Sequence, residues 1–178
     1  YDAGNKVTTG FENTLIGGLA GDALTDADYN TAVGSLALTA DTLGSRTVAI
    51  GTGALAQQNF TSATNAYNVA VGFNAGTAVT TGVQNTLIAI GQGVLANQNF
   101  TTATDSYNVA VGHLAGGEVT TGQYNTLIGG LAGDAITTGN RNVALGTSAM
   151  STNILGSKST ALGTNALLTQ NPATAVDM

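Results

Sequence analysis

Residues 125–129 read Asn-Thr-Leu-Ile-Gly, and residues 142–146, seventeen positions on, read Asn-Val-Ala-Leu-Gly. Blocks of this form start at Asn13, Asn30, Thr47, Asn68, Asn85, Asn108, Asn125, Asn142 and Ser159. Their spacings are 17, 17, 21, 17, 23, 17, 17 and 17 residues, and in the block at Asn85 the glycine is delayed to Gly91. A fixed period of this kind marks a solenoid, in which each repeat is a coil stacked on the last. Seventeen residues are too few for a helical repeat, which needs more than about 30. They suffice for one coil of two short strands and two turns. The expectation is an all-β β-solenoid (β-roll) of about nine 17-residue coils, a rod of roughly 43 Å at about 4.8 Å per coil.

Each register position has a physical task. The third residue of the block is always Leu or Ala, and the fourth is always aliphatic, from Ile16 to Leu162. Neighbouring residues of a strand face opposite ways, so this strand is apolar on both faces and needs burial on both. One face belongs to the coil interior. The third position is expected to be covered by partner chains, which makes a parallel homotrimer the predicted assembly. Stacked asparagines at the block starts are expected to form a hydrogen-bonded ladder, as identical residues do in register. Three residues before each start stand Gly10, Ala27, Gly44, Asn65, Gly82, Asp105, Gly122, Gly139 and Gly156. All but Ala27 tolerate positive φ, so a left-handed turn is expected there.

Residues 1–178 read as a single repeat domain. The chain starts with Tyr, and repeats begin almost at once, as expected of a segment of a longer fibre protein. Whole blocks have been duplicated: 55–72 and 95–112 are nearly identical, and NTLIGGLAGDA at 13–23 returns unchanged at 125–135.

Composition narrows the function. Aromatics make up 5% of the chain, too few to anchor an ordinary globular core. A net charge of −6 with four scattered basic residues argues against nucleic acid as a partner. No apolar run approaches the roughly 20 residues of a spanning helix, so membrane insertion is not expected. Without cysteine there is neither disulfide nor thiol chemistry.

The blocks Thr47–Gly51 (TVAIG), Asn68–Gly72 (NVAVG) and Asn142–Gly146 (NVALG) resemble two families. One is the head β-roll of trimeric autotransporter adhesins. The other, closer in beat and in its TTGxxNT turns, is the repeat region of phage tail fibres and related virion appendages. The resemblance spans residues 10–168. It implies a trimeric structural fibre, located in a virion or at an extracellular surface, that contributes to attachment to a cell-surface glycan or protein receptor. The alternative it leaves is a bacterial adhesin head binding host or matrix ligands.

A search for chemistry finds little. The single histidine, His113, follows a block glycine at a position that elsewhere holds Gly, Ser, Thr or Phe, which reads as surface. A nucleophile needs a base and a group to orient it, and no recurrent partner is present. The glycine pairs lack the following Lys-Ser or Lys-Thr of a phosphate loop. No enzyme activity, metal or cofactor is expected. Asp22, Asp26 and Asp28 form the one acidic cluster and read as a solvated loop, since the repeat at 134–141 has Thr138 and Asn140 where Asp26 and Asp28 would fall.

Two surface features stand out. The residue before each block start is Glu12, Tyr29, Arg46, Tyr67, Gln84, Tyr107, Tyr124, Arg141 or Lys158. Stacking aligns these into a stripe, either a ligand surface or a subunit seam. The longer intervals carry similar inserted loops at 57–64 and 97–104, each centred on a phenylalanine, Phe60 or Phe100. These are candidate recognition loops, or else rings that fold back into the coil.

Overall fold

A computed structural model describes residues 2–172 and Thr174, and only the backbone over 87–91. The strands run in chain order as β1 (Thr14–Ile16), β2 (Thr31–Val33), β3 (Gly44–Ser45), β4 (Val48–Ile50), β5 (Thr64–Asn65), β6 (Val69–Phe73) and β7 (Gly82–Val83). They continue as β8 (Thr86–Gln92), β9 (Thr104–Asp105), β10 (Val109–Val111), β11 (Thr126–Ile128), β12 (Val143–Leu145) and β13 (Thr160–Leu162). The nine block strands form one parallel sheet in the order β1-β2-β4-β6-β8-β10-β11-β12-β13. Register is like-on-like: Thr14 pairs with Thr31, Leu15 with Ala32 and Ile16 with Val33. The fold is therefore an all-β, helix-free β-solenoid among the described residues. Nine strands bound eight full turns, and residues 2–12 add part of a coil through Gly4 N–H to Ala20 O, Lys6 N–H to Asp22 O and Thr8 N–H to Thr25 O.

The expected second strand is absent from most coils. Among the described residues it survives as two-residue pairings, β3 with β5 and β7 with β9, beside the inserted loops, and as a single bridge residue at Ser157. Elsewhere tight turns replace it, and their N–H groups donate to carbonyls of the adjacent coils, as from Leu38 to Ala54 and from Gly133 to Ala149.

The two faces of the block strand are assigned the opposite way from the sequence expectation. The third position points into the chain's own coil: Ala32, Ala49, Ala70, Ala110, Leu127 and Ala144 are fully buried without any partner chain. The fourth position points outward: Ile16 and Leu162 on the end rungs are 58% and 73% exposed, Ile50 and Leu145 38% and 42%, and Val33, Val71, Val111 and Ile128 are half-buried. Alternation shows that the two positions face apart, but not which one is enclosed.

Core volume is balanced between columns. Where the third residue is Leu, the ninth is Gly: a Cβ on Gly133 would lie 2.8 Å from Leu127 Cδ2, and one on Gly21 2.8 Å from Leu15 Cδ2. Where the third is Ala32, Ala49 or Ala144, the ninth is Leu38, Leu55 or Met150, all fully buried. In the blocks at Asn68 and Asn108 both positions are small, Ala70 with Gly76 and Ala110 with Gly116, and leucines of adjacent coils take the space: a Cβ on Gly116 would lie 2.7 Å from Leu127 Cδ1 and 2.9 Å from Leu95 Cδ2.

The left-handed residues also lie elsewhere than expected. Gly10, Gly44, Gly82, Gly122, Gly139 and Gly156 do not have positive φ, and neither do Asn65, Asp105 or Ala27. Glycine serves there because space is short: a Cβ on Gly122 would sit 2.6 Å from Gly139 O. Positive φ falls instead on the residue before each block start, from Tyr107 at 48° to Arg46 at 62°, and on turn residues such as Leu36, Leu131 and Met150. Such φ is costly for large side chains. Here it is held by hydrogen bonds to the coils above and below.

Candidate functional site

The stripe before the block starts exists as aligned side chains on one corner of the solenoid. Its backbone is fixed by a ladder in which Tyr29 N–H donates to Phe11 O, Arg46 N–H to Asp28 O, Tyr124 N–H to Ser106 O and Arg141 N–H to Gln123 O. Tyr29, Arg46, Tyr67, Tyr107, Tyr124, Arg141 and Lys158 are all exposed. Two stacks form along it. In the first, Phe11 meets Tyr29 edge to face with centroids 5.2 Å apart, and the Arg46 guanidinium lies 4.7 Å above Tyr29. In the second, Tyr107 and Tyr124 stack at 5.2 Å and 19°, with Arg141 5.2 Å from the Tyr124 ring. Tyr67 lies between the two groups in chain order. Phe11 was not legible as a member, because it sits one position out of the stripe's register. Stacking and cation–π contacts use up the ring faces of Tyr124 and leave edges, hydroxyls and guanidinium forks to meet solvent.

The phenylalanines of the inserted loops fold back. Phe60 is 2% exposed and packs with Ala66 and Val83, while Phe100 is 7% exposed. Gly44 and Gly82 make the room: a Cβ on either would meet Phe60 Cδ2 at 2.7 Å or Phe100 Cδ2 at 3.2 Å. Thr42 Oγ1 donates to Phe60 O at 3.0 Å, and Thr80 Oγ1 to Phe100 O at 2.8 Å, pinning both loops. The rings are therefore packing anchors, and the loops expose their tips, 61–63 and 101–103, together with Gln57, Asn59, Asn97 and Asn99.

The acidic residues near the N-terminus are divided among separate contacts. Thr39 Oγ1 donates to Asp22 at 2.6 Å, Thr9 Oγ1 to Asp26 at 2.5 Å, and Phe11 N–H to Asp28 at 3.0 Å. Among the described residues no group of three or more His, Cys, Asp or Glu is placed to hold a metal ion. His113 is exposed.

A polar chain that periodicity did not reveal runs through the interior between the insertions. Asp41 is fully buried and accepts from Gln58 Nε2 at 2.6 Å, Gly44 N–H at 3.0 Å and Phe60 N–H at 3.3 Å. Asn68 Nδ2 donates to Gln58 Oε1 at 2.8 Å, and Asn85 Nδ2 to Gln98 Oε1 at 2.9 Å. Burial pushes the Asp41 carboxyl above its ordinary range, outweighing the hydrogen bonds that pull it down. A native value raised above the unfolded 3.8 means that this group's stabilising share is complete below about 3.8 and is lost as pH climbs through the native value. Asp41→Asn keeps the volume and the acceptor for Gly44 N–H, as Asn153 does for Gly156 N–H at 2.8 Å. The unfolding free energy of the native protein in urea should therefore fall relative to Asp41→Asn as pH rises from about 4. The expected slope is about 1.4 kcal/mol per pH unit until the native value is passed. Asp134, also pushed up by burial, acts equally in both proteins and cancels. Parallel profiles for the two proteins would contradict this.

The described surface holds no concave pocket, so the features available for recognition are the corner stripe and the flat outer face of the sheet. No protein-family model, curated protein or solved structure matches the chain.

Proposed function

We propose that the chain is a structural segment of a trimeric fibre, a phage tail fibre or similar virion or extracellular appendage. It acts through length, rigidity and a repeated surface that takes part in attachment. The observation that carries this is the outer face of the nine-stranded sheet. Its second positions are Thr or Val and its fourth are Ile, Val or Leu in every rung. Ile16, Ile50, Val143, Leu145 and Leu162 are more than a third exposed in the single chain. A contiguous, uncharged face of aliphatic and threonine side chains of this length supports an interaction surface. Covering it is favourable by about 25 cal/mol per Å². Three copies around one axis cover it with a closed ring of identical contacts, and the constant coil rise keeps every rung in register.

Sedimentation equilibrium diluted through the nanomolar range tests this. The expected result is the mass of three chains, and for a Val111→Glu/Ile128→Glu variant a single chain with unchanged β circular dichroism. A native protein that remains monomeric at micromolar concentration would rule out the trimeric fibre.

A further inference from the structure

We propose that the ridge formed by Tyr107, Tyr124 and Arg141 binds a linear acidic polysaccharide, its carboxylates meeting the Arg141 guanidinium and its hydroxyls the tyrosine hydroxyls. This goes beyond the fibre reading and stands on the geometry of one chain.

The ridge is preorganised. Positive φ at all three residues and the ladder bonds of Tyr124 N–H and Arg141 N–H fix the backbone. Stacking at 5.2 Å on both sides of Tyr124 fixes the side chains. Tyr107 and Tyr124 remain 42% and 44% exposed; Tyr124, covered on both faces, presents its edge and hydroxyl, and Tyr107, covered by Tyr124 on one face, presents its hydroxyl beside it. No carboxylate pairs with Arg141 among the described residues. A guanidinium held over a ring at 5.2 Å keeps donors that can meet a carboxylate as a fork, and less side-chain entropy is left to lose on binding.

Charge selects this stack over the other. Beside Tyr124 and Arg141 lie Gln123, Asn140 and Ser157, all neutral, with Gln123 N–H donating to Asn140 Oδ1 and Asn140 N–H to Ser157 Oγ, while the exposed carboxylate of Asp105 stands at the Tyr107 end, two rungs from Arg141, where it accepts from Gln84 Nε2 at 3.0 Å. Arg46 and Tyr29 instead share their corner with Glu12, Asp26 and Asp28, whose charges oppose an anion. The chain as a whole is acidic, so an uncompensated cation on it is a local exception. Rungs recur at about 4.8 Å, so a linear polymer of similar repeat sets one unit against each rung, hydroxyls on Tyr107 and Tyr124 and a carboxylate on Arg141. A chain carrying both hydroxyls and carboxylates uses both kinds of group on the ridge, whereas a plain polyanion uses only the guanidinium.

Calorimetric titration of the full chain with polygalacturonate oligosaccharides tests this, with fully methyl-esterified oligosaccharides and polyglutamate as comparisons. Polygalacturonate should bind in a salt-sensitive way and at least about tenfold more tightly than either comparison. Arg141→Gln should weaken it about tenfold to a hundredfold, Tyr124→Phe severalfold, and Arg46→Gln not at all. The proposal is overturned if the native chain fails to bind, if the esterified polymer or polyglutamate binds equally, or if Arg141→Gln binds like the native chain. In that last case a change in sedimenting mass would assign the ridge to a subunit seam.

Discussion

Replacing Gly129 with alanine is expected to destabilise the solenoid by roughly 2–6 kcal/mol, a large part of a domain's usual 5–15 kcal/mol. The backbone there has φ +131°, a region essentially confined to glycine, and a Cβ would lie 2.6 Å from both C and O of Gly146 in the next coil. The cost joins roughly 1–3 kcal/mol of backbone strain to a similar overpacking cost against backbone that has nowhere to move. The same contact recurs down the column, Gly17 against Gly34, Gly112 against Gly129 and Gly146 against Gly163. Gly163 supplies the internal control. Its φ is +117°, but a Cβ there meets nothing within 4 Å among the described residues, so Gly163→Ala should cost only the strain, about 1–3 kcal/mol. Urea unfolding of both variants decides the matter. Equal losses would show that backbone strain alone, and not the approach of one coil to the next, demands glycine in this column.

The second large effect is expected at Asn125. Its Oδ1 accepts the N–H of Asn142 at 3.0 Å, and its Nδ2 donates to Gly139 O at 2.9 Å. Both groups belong to the next coil, and Asn125 and Asn142 are fully buried. Asn125→Ala leaves a donor and an acceptor unpaired away from water, at roughly 1–3 kcal/mol each. A loss of about 2–6 kcal/mol should follow, seen as a fall in thermal midpoint of roughly 2–4 °C per kcal/mol. Asn125→Asp preserves the acceptor but sets a carboxylate oxygen against Gly139 O, and should be nearly as damaging. If Asn125→Ala loses less than about 1 kcal/mol, water or a relaxed backbone satisfies these groups.

This ladder was partly legible in the sequence. Identical asparagines on a 17-residue beat had to stack, and they do. The bonding is mainly side chain to backbone: Asn13 Oδ1 takes Asn30 N–H, and Asn30 Oδ1 takes Thr47 N–H, each at 2.9 Å. That explains why Thr47 and Ser159 are admitted at ladder positions. A residue there needs only a backbone N–H to donate to the asparagine Oδ1 of the coil before, whatever its own side chain does. The insertions were less legible. The 23-residue interval has six residues beyond the usual beat, and its loop resembles that of the 21-residue one. The remainder lies in β8, where Val71 pairs with Ile88 but Phe73 pairs with Gln92, a bulge in the middle of the sheet. Periodicity measures an interval's length and not where along the coil the excess is absorbed.

The candidate surface divides in the same way. That Tyr107, Tyr124 and Arg141 would align followed from their shared register. That Phe60 and Phe100 would turn inward did not, because their burial depends on Gly44 and Gly82 one coil away in space. Asp41 was invisible as a buried acid, since its column also holds Leu24, Val79 and Ile136.

The sequence by itself determined the period, the parallel like-on-like stacking, and the columns of Asn, aliphatic and Gly. A repeat leaves equivalent residues no place but one above another. Only the tertiary structure decided which face of the strand is enclosed and where the chain turns left-handed. Both depend on how a coil closes, and closure is set by hydrogen bonds and contacts with its two neighbours. Those forces hold Tyr, Arg and Leu at positive φ against their local preference, which no reading of a single coil could foresee.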